Sequence, residues 1–262
     1  MSLNVLIVEG NNPKDSEVFI RAAKATCSEN LKNIVLRLEP SSKATIINPA
    51  NDNETKEALA NMDQYNGIIF TGGAMRLNDM TDEIKKHINF ATECFKYNNK
   101  ILAICWGLQV CSTAAGGKVT PGKNGAHIGI ATDVKINEEG KNNPIYKDKK
   151  LKFNTPAFNF DEVSELPAGA TLLASDKVNK NMGVYFKSGN SEIWGLQYHP
   201  DYEYWQMINL SNERMGKMIA KEYFKNEEDF KEHINLIKSE EKILDFKNKT
   251  HEIRNWLDLV KN

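Results

Sequence analysis

The sequence lacks several features that would each point to a class of protein. No apolar run approaches the ~20 residues that a membrane-spanning helix requires. The apolar stretch at residues 5–8 is too short for the core of an export signal, and acidic Glu9 follows it at once. Only four cysteines occur in 262 residues (Cys27, Cys94, Cys105 and Cys111), with no CxxC pair and no Cys/His spacing of a zinc site. A reduced, cytoplasmic thiol pool is the matching expectation. Neither sign of charge is in excess, 34 Lys+Arg standing against 35 Asp+Glu. That balance argues against a surface built to track nucleic-acid phosphates. Internal repeats, Pro-rich linkers, low-complexity segments and a nucleotide-binding P-loop are missing too.

What is present is apolar material for one substantial core, at 40% of residues. Short apolar runs alternate with helical patterns through the first 115 residues. Strands are expected at Asn4–Val8, 34–38, 44–47, Gly67–Phe70 and Lys100–Ile104. Helices are expected at 13–29, 54–62, 81–97 and 106–115, with Ile84, Ile88, Ala91 and Phe95 along one face of the third. Continuous rather than alternating apolar strands signal a parallel sheet covered on both faces. Beyond Gly116 strands at 128–136, 169–175, 182–186 and 192–196 follow one another with little helix, which suggests an antiparallel section on the same sheet. From Tyr202 the chain reads as charged helices at 213–223, 227–238 and 240–260. Interspersed charges and the apolar Ile234, Ile237, Ile243, Ile253, Trp256 and Leu257 mark them as a cover packed on the domain rather than a free arm. The expected organisation is one α/β domain over 1–205 and a helical extension over 206–262.

Three elements carry chemistry. Apolar residues 101–104 run straight into Cys105, a helix begins at once, and small residues stand two before and two after the cysteine (Ala103, Gly107). This is the nucleophile-elbow pattern, a sharp strand–turn–helix that tolerates only small neighbours. A helix N-terminus favours a thiolate, and the N–H of Trp106 would face a developing oxyanion. A buried core cysteine is the plain alternative. In the second element, a strand delivers His199 and then Asp201, and in extended chain residues i and i+2 share a side. A thiol needs a base, and the base needs a partner to orient it. The third is Gly72–Gly73 at the carboxyl end of an expected strand, where α/β sheets gather ligands and glycine lets backbone N–H groups approach.

These elements, in this order, resemble the class I glutamine amidotransferase family with its triad site. The resemblance runs from about residue 4 to 205. Weaker matches lie at Gly116, Gly117 and Val119, at 158–161 and at 166–175, and the tail around Asn255, Trp256 and Leu257 is similar to the stand-alone, GMP-synthase-like branch. The resemblance implies a flavodoxin-like open twisted, mostly parallel sheet with helices on both faces. It implies Cys105 as nucleophile, His199 as general base and acid, and Asp201 as orienting acid. Gly73 and Trp106 would supply oxyanion N–H groups, and Gly72, Gln109, His127 and Asn159 would lie on the substrate side. The implied reaction hydrolyses the glutamine side-chain amide through a γ-glutamyl thioester, with no metal or organic cofactor. Ammonia would pass to a separate synthetase partner.

Four positions depart from the family pattern. Ala103 replaces a glycine. Asp201 replaces a glutamate and is shorter by one C–C bond, about 1.5 Å. His127 stands where glutamate is expected and is either substrate-facing or a surface residue. Asn159 stands where histidine is expected. Together they suggest an amide other than free glutamine, and leave two further readings open: a γ-glutamyl peptidase or hydrolase acting on peptides or conjugates, and a binding or regulatory protein with a decayed triad.

Overall fold

A computed structural model describes residues 2–261. The first half alternates strand and helix: β1 (Asn4–Val8), α1 (Pro13–Ala23), α2 (Cys27–Leu38), β2 (Lys43–Ile47), α3 (Asp52–Ala60), β3 (Gly67–Phe70), α4 (Asp82–Cys94), β4 (Lys100–Ile104) and α5 (Trp106–Ala114). The second half is mostly strand: β5 (Lys118–Pro121), β6 (His127–Ile128), β7 (Ala131–Ile136), the short helix α6 (Glu138–Asn142), β8 (Lys152–Thr155), β9 (Phe158–Asn159), β10 (Asp161–Glu165), β11 (Thr171–Ser175), β12 (Gly183–Ser188) and β13 (Ser191–Leu196). Four helices close the chain: α7 (Tyr204–Ala220), α8 (Glu227–Glu241), α9 (Phe246–Lys249) and α10 (His251–Lys261).

One nine-stranded sheet organises the molecule, in the order β2-β1-β3-β4-β13-β12-β11-β7-β8. Its first five strands are parallel and the rest antiparallel. The expected flavodoxin-like sheet with an antiparallel section is what forms. Successive residues of the central strands serve opposite faces. Val5, Ile7, Ile69, Leu102 and Ile104 enter one core with α2 and α10. Leu6, Val8, Ile68, Phe70, Ile101 and Ala103 enter the other with α4 and α5. That division accounts for the unbroken apolar runs.

Two expected elements differ. Residues 13–29 form no single helix, and 34–38 are helical rather than a strand. Lys24 adopts φ 65° and ends α1, and Thr26 then starts α2 through a reciprocal capping box with Glu29. Leu31, Ile34, Val35 and Leu38 follow the i, i+3, i+4, i+7 spacing of a helix face, and the first three are buried. The tail also divides differently. Its first helix begins nine residues early, at Tyr204, where Glu203 and Gln206 form a capping box. The expected helix over 240–260 breaks at Asp245, whose side chain caps α9, and Ile243 is 72% exposed rather than packed.

The last helix is firmly seated. Trp256 is fully buried, and a Cβ on Gly67 of β3 would come within 2.9 Å of its indole. Glu252, also buried, accepts from Tyr198 Oη at 2.6 Å and pairs with Lys149 Nζ at 2.7 Å. No helix among the described residues is long and apolar enough to cross a membrane. Truncating Trp256 to Ala should leave a large cavity against β3 and cost about 3–5 kcal/mol of stability. A urea midpoint shift worth less than about 1 kcal/mol, at constant slope, would show that α10 is a loosely attached cover.

Candidate active site

The carboxyl ends of β1, β3, β4 and β13 meet at one place. Cys105 sits in the turn between β4 and α5 with φ 51° and ψ −106°, a conformation non-glycine residues rarely hold and one that costs roughly 1–3 kcal/mol. Two backbone bonds fix it: Cys105 N–H to the Leu196 carbonyl at 2.6 Å, and Gly107 N–H to that of Thr71 at 3.0 Å. Gly107 has to be glycine, because a Cβ there would lie 2.5 Å from the Phe70 carbonyl oxygen. Ala103 fits without disturbance, buried and in register with Phe70 and Gly195.

The thiol is buried, and its Sγ lies 3.7 Å from the Phe158 carbonyl oxygen. Gln197 points its amide at Sγ, 3.5 Å away, and its Oε1 faces Gln109 Nε2 at 3.4 Å. Gln109 also donates to the Asp161 carbonyl at 3.0 Å. Motif reading missed Gln197. It sits two residues before His199, in the bend just past the end of β13, and that nearness in sequence was the available signal.

His199 follows the end of β13, its N–H donating to the Pro156 carbonyl at 2.8 Å. Its Nδ1 lies 3.0 Å from Asp201 Oδ1, so the shorter acid does reach the ring. Tyr202 packs edge-on to the imidazole at 5.0 Å. Asp201 is wholly buried; its Oδ2 has no hydrogen-bond partner among the described residues, and its backbone carbonyl accepts from Asn30 Nδ2 at 2.6 Å. With Nδ1 engaged, Nε2 is the nitrogen left for chemistry. Burial works against charge on this imidazole. The negative charge of a Cys105 thiolate, then that of Asp201 and the hydrogen bonds to both, outweigh it and push His199 up to about 10.

The Gly72–Gly73 loop is where close packing demands glycine. A Cβ on Gly72 would lie 2.5 Å from His199 Cε1, so this glycine makes room for the imidazole. Gly73 is backed against Gly10, where a Cβ would meet the Gly10 carbonyl oxygen at 2.5 Å. Asn11 ties the loop down by accepting from Ala74 N–H at 2.7 Å. Gly10 and Asn11, at the end of β1, were not singled out from the sequence. Trp106 is buried with His87 edge-on to its ring at 4.7 Å. Burial holds His87 down at about 3, so it stays neutral.

Cys105 opens onto a cavity of about 270 Å³ that Gly73, Trp106, Gln109 and Asn159 also line. His127 does not line it. The residue is not on the surface: it is buried, with Nδ1 2.9 Å from Asn159 Oδ1 and Nε2 2.7 Å from Asp176 Oδ2. His127 and Asn159 are directly opposed across the β6–β9 pair. The two departures from the family pattern are therefore partners, one completing the hydrogen bonding of the other.

Comparison with known proteins shows the family and the fold. A family model described as glutamine amidotransferase class-I matches residues 24–206. A γ-glutamyl-L-1-hydroxyisopropylamide hydrolase from Pseudomonas is 26% identical over 98% of this chain and 92% of its own length. Arabidopsis thaliana γ-glutamyl peptidase 5 is 33% identical over 54% of this chain and 55% of its own. The glutamine-hydrolysing GMP synthase subunit of Methanococcus vannielii is 28% identical over 64% and 77% respectively. Among solved structures, a glutamine amidotransferase from Thermotoga maritima superposes with a TM-score of 0.71 at 18% identity, covering 99% of this chain and 98% of that one.

Replacing Asp201 by Asn removes a negative charge that favours the imidazolium. The His199 titration midpoint should therefore move down from about 10. Histidine ring NMR resonances followed against pH would read the shift, and a midpoint that stays put or rises would mean that Asp201 does not govern this imidazole.

Proposed function

Because the chain belongs to the glutamine amidotransferase class-I family, we propose that it hydrolyses a γ-glutamyl amide through a covalent thioester on Cys105. The observation that carries this reading is the strained turn. The chain holds a cysteine at φ 51° at the start of α5, with the oriented imidazole of His199 beside it. Backbone strain of this kind persists only where the surroundings enforce it, and a core cysteine has no need of it.

The chemistry follows from the groups in place. The Cys105 thiolate attacks the γ-carbonyl carbon, and the π electrons move onto oxygen. N–H groups of Gly73 and Trp106, two residues that line the cavity with Cys105, receive that oxyanion in this reading. His199 gives its Nε2 proton to the departing amine as the C–N bond breaks, leaving a γ-glutamyl thioester. It then takes a proton from water, whose oxygen attacks the thioester, and glutamate and the free thiolate result. Asp201 keeps Nδ1 protonated and the ring oriented throughout.

The full-length similarity to an amide hydrolase with an organic leaving group, and the paired His127–Asn159 substitution beside the cavity, support an amide larger than that of free glutamine. The similarity to GMP synthase subunits supports a second reading, in which glutamine is the substrate and ammonia passes to a synthetase partner. Glutamate release should be measured with glutamine and with a series of γ-glutamyl amides. At least one γ-glutamyl amide should turn over, and Cys105→Ala should lower that rate by at least about 10³-fold. Turnover that survives the substitution would sink the thioester mechanism. Release from glutamine alone would move the assignment to the amidotransferase reading.

A further inference from the structure

The cavity in front of Cys105 has an uneven charge. Five charged side chains line it. Two of these cancel: Arg76 and Asp161 form a two-pronged pair, Nε to Oδ2 at 3.0 Å and a terminal guanidinium nitrogen to Oδ1. The other three, Arg214, Lys217 and Lys221, are all basic and all come from the end of α7 or just beyond it. Among the described residues none of the three has a carboxylate within ion-pair distance, and Glu213, next to Arg214, is turned to Arg21.

Arg214 is the most informative of them. It is half-buried, and its guanidinium lies over the Phe158 ring, 4.9 Å from the centroid, with Phe19 at 5.9 Å. Phe158 is the residue whose carbonyl faces Cys105 Sγ, so Arg214 is one side chain removed from the nucleophile. Burial works against its charge, and the more distant Asp15 and Glu213 offset this only in part. A flat guanidinium held on an aromatic ring, with its donors unspent, is suited to a carboxylate.

A γ-glutamyl group carries one α-carboxylate and one α-ammonium, so free glutamine and neutral amides are zwitterions of zero net charge. Three unneutralised cations and no unneutralised acid suit such a ligand poorly. They suit an amide whose leaving group brings a carboxylate of its own. Resting on the hydrolase reading above, we infer that the preferred substrates are γ-glutamyl amides of amino acids, and that Arg214 is the specificity-determining residue that recognises the carboxylate of the leaving group. Lys217 and Lys221, exposed at the rim, add attraction for the same charge.

The test compares γ-glutamylglycine with γ-glutamylglycinamide, which are alike in size and differ by one negative charge. Binding of each to the Cys105→Ala protein is measured by calorimetry, so that the result does not depend on turnover. The acid should bind roughly tenfold more tightly, equivalent to about 1.4 kcal/mol, and the ratio should shrink as salt is added. With Arg214→Gln added, the ratio should fall toward one. Lys217→Gln with Lys221→Gln, both at exposed positions, should lower it by a smaller factor and provides a second reading if the Arg214 variant folds poorly. Equal binding of the two ligands would overturn the inference. So would an Arg214→Gln variant that weakens both ligands equally, since Arg214 would then hold the α-carboxylate they share. A clear binding preference without any glutamate release from the wild-type protein would instead count against the hydrolase reading alone.

Discussion

Everything at the candidate site depends on close approach of backbone to backbone at the carboxyl ends of four neighbouring strands. Gly10, Gly72, Gly73 and Gly107 each stand where a Cβ would lie 2.3–2.5 Å from a carbonyl oxygen or the His199 ring. Only without those side chains can the β3 loop lie between the end of β1 and the imidazole. Only then can the first turn of α5 rest on the end of β3. The unusual dihedrals of Cys105 are held by its neighbours rather than tolerated by the residue itself. A parallel sheet makes this possible, because its strands all end on the same side and so deliver their following loops to one edge.

Charge is handled in the same local way. Three acids buried near the site and under the tail, Asp201, Asp161 and Glu252, each face a base: His199, Arg76 and Lys149. Burying a lone carboxylate would be very costly, so each of these contacts also fixes geometry. The His127–Asn159 pair shows how such a contact can change partners. Two residues that each depart from the family's usual choice meet across a two-stranded sheet, where their substitution can be mutually satisfied.

Most of the succession of strands along the chain, and the elbow, were legible in the sequence because both are written in contiguous residues. An apolar run ending in a cysteine, with glycine two positions on, says almost everything about β4 and α5. His199 and Asp201 were legible as a pair because they stand two residues apart, although a turn at residues 200–201 rather than extended chain brings them together. What escaped lies in contacts between distant segments. The role of Gly72 as space for His199 joins residues 127 positions apart, and Gly10 behind Gly73 joins β1 to β3. The misread strand at residues 34–38 has another cause. Its β-branched and leucine residues suit a strand, but the capping box at Thr26 fixes a helical frame before the apolar residues begin.

The helical tail would be easy to regard as decoration, but its two ends act at opposite ends of the parallel strands. At one end α7 follows the Asp201 segment, and its Gln206 and Asn209 donate to the Ala23 and Ala22 carbonyls at the close of α1. That docking sets the rotation of the helix and so aims Arg214, Lys217 and Met218 into the cavity that Cys105 opens onto. At the other end α10 buries Trp256 against β3 and lends the Leu259 carbonyl to Lys100 at the start of β4. The strand that leads into Cys105 is thus held at its far end by α10. A tail fixed at both places can shape what enters the cavity in front of Cys105; on the proposed reading, that leaves the chemistry to the sheet and the choice of amide to the helices.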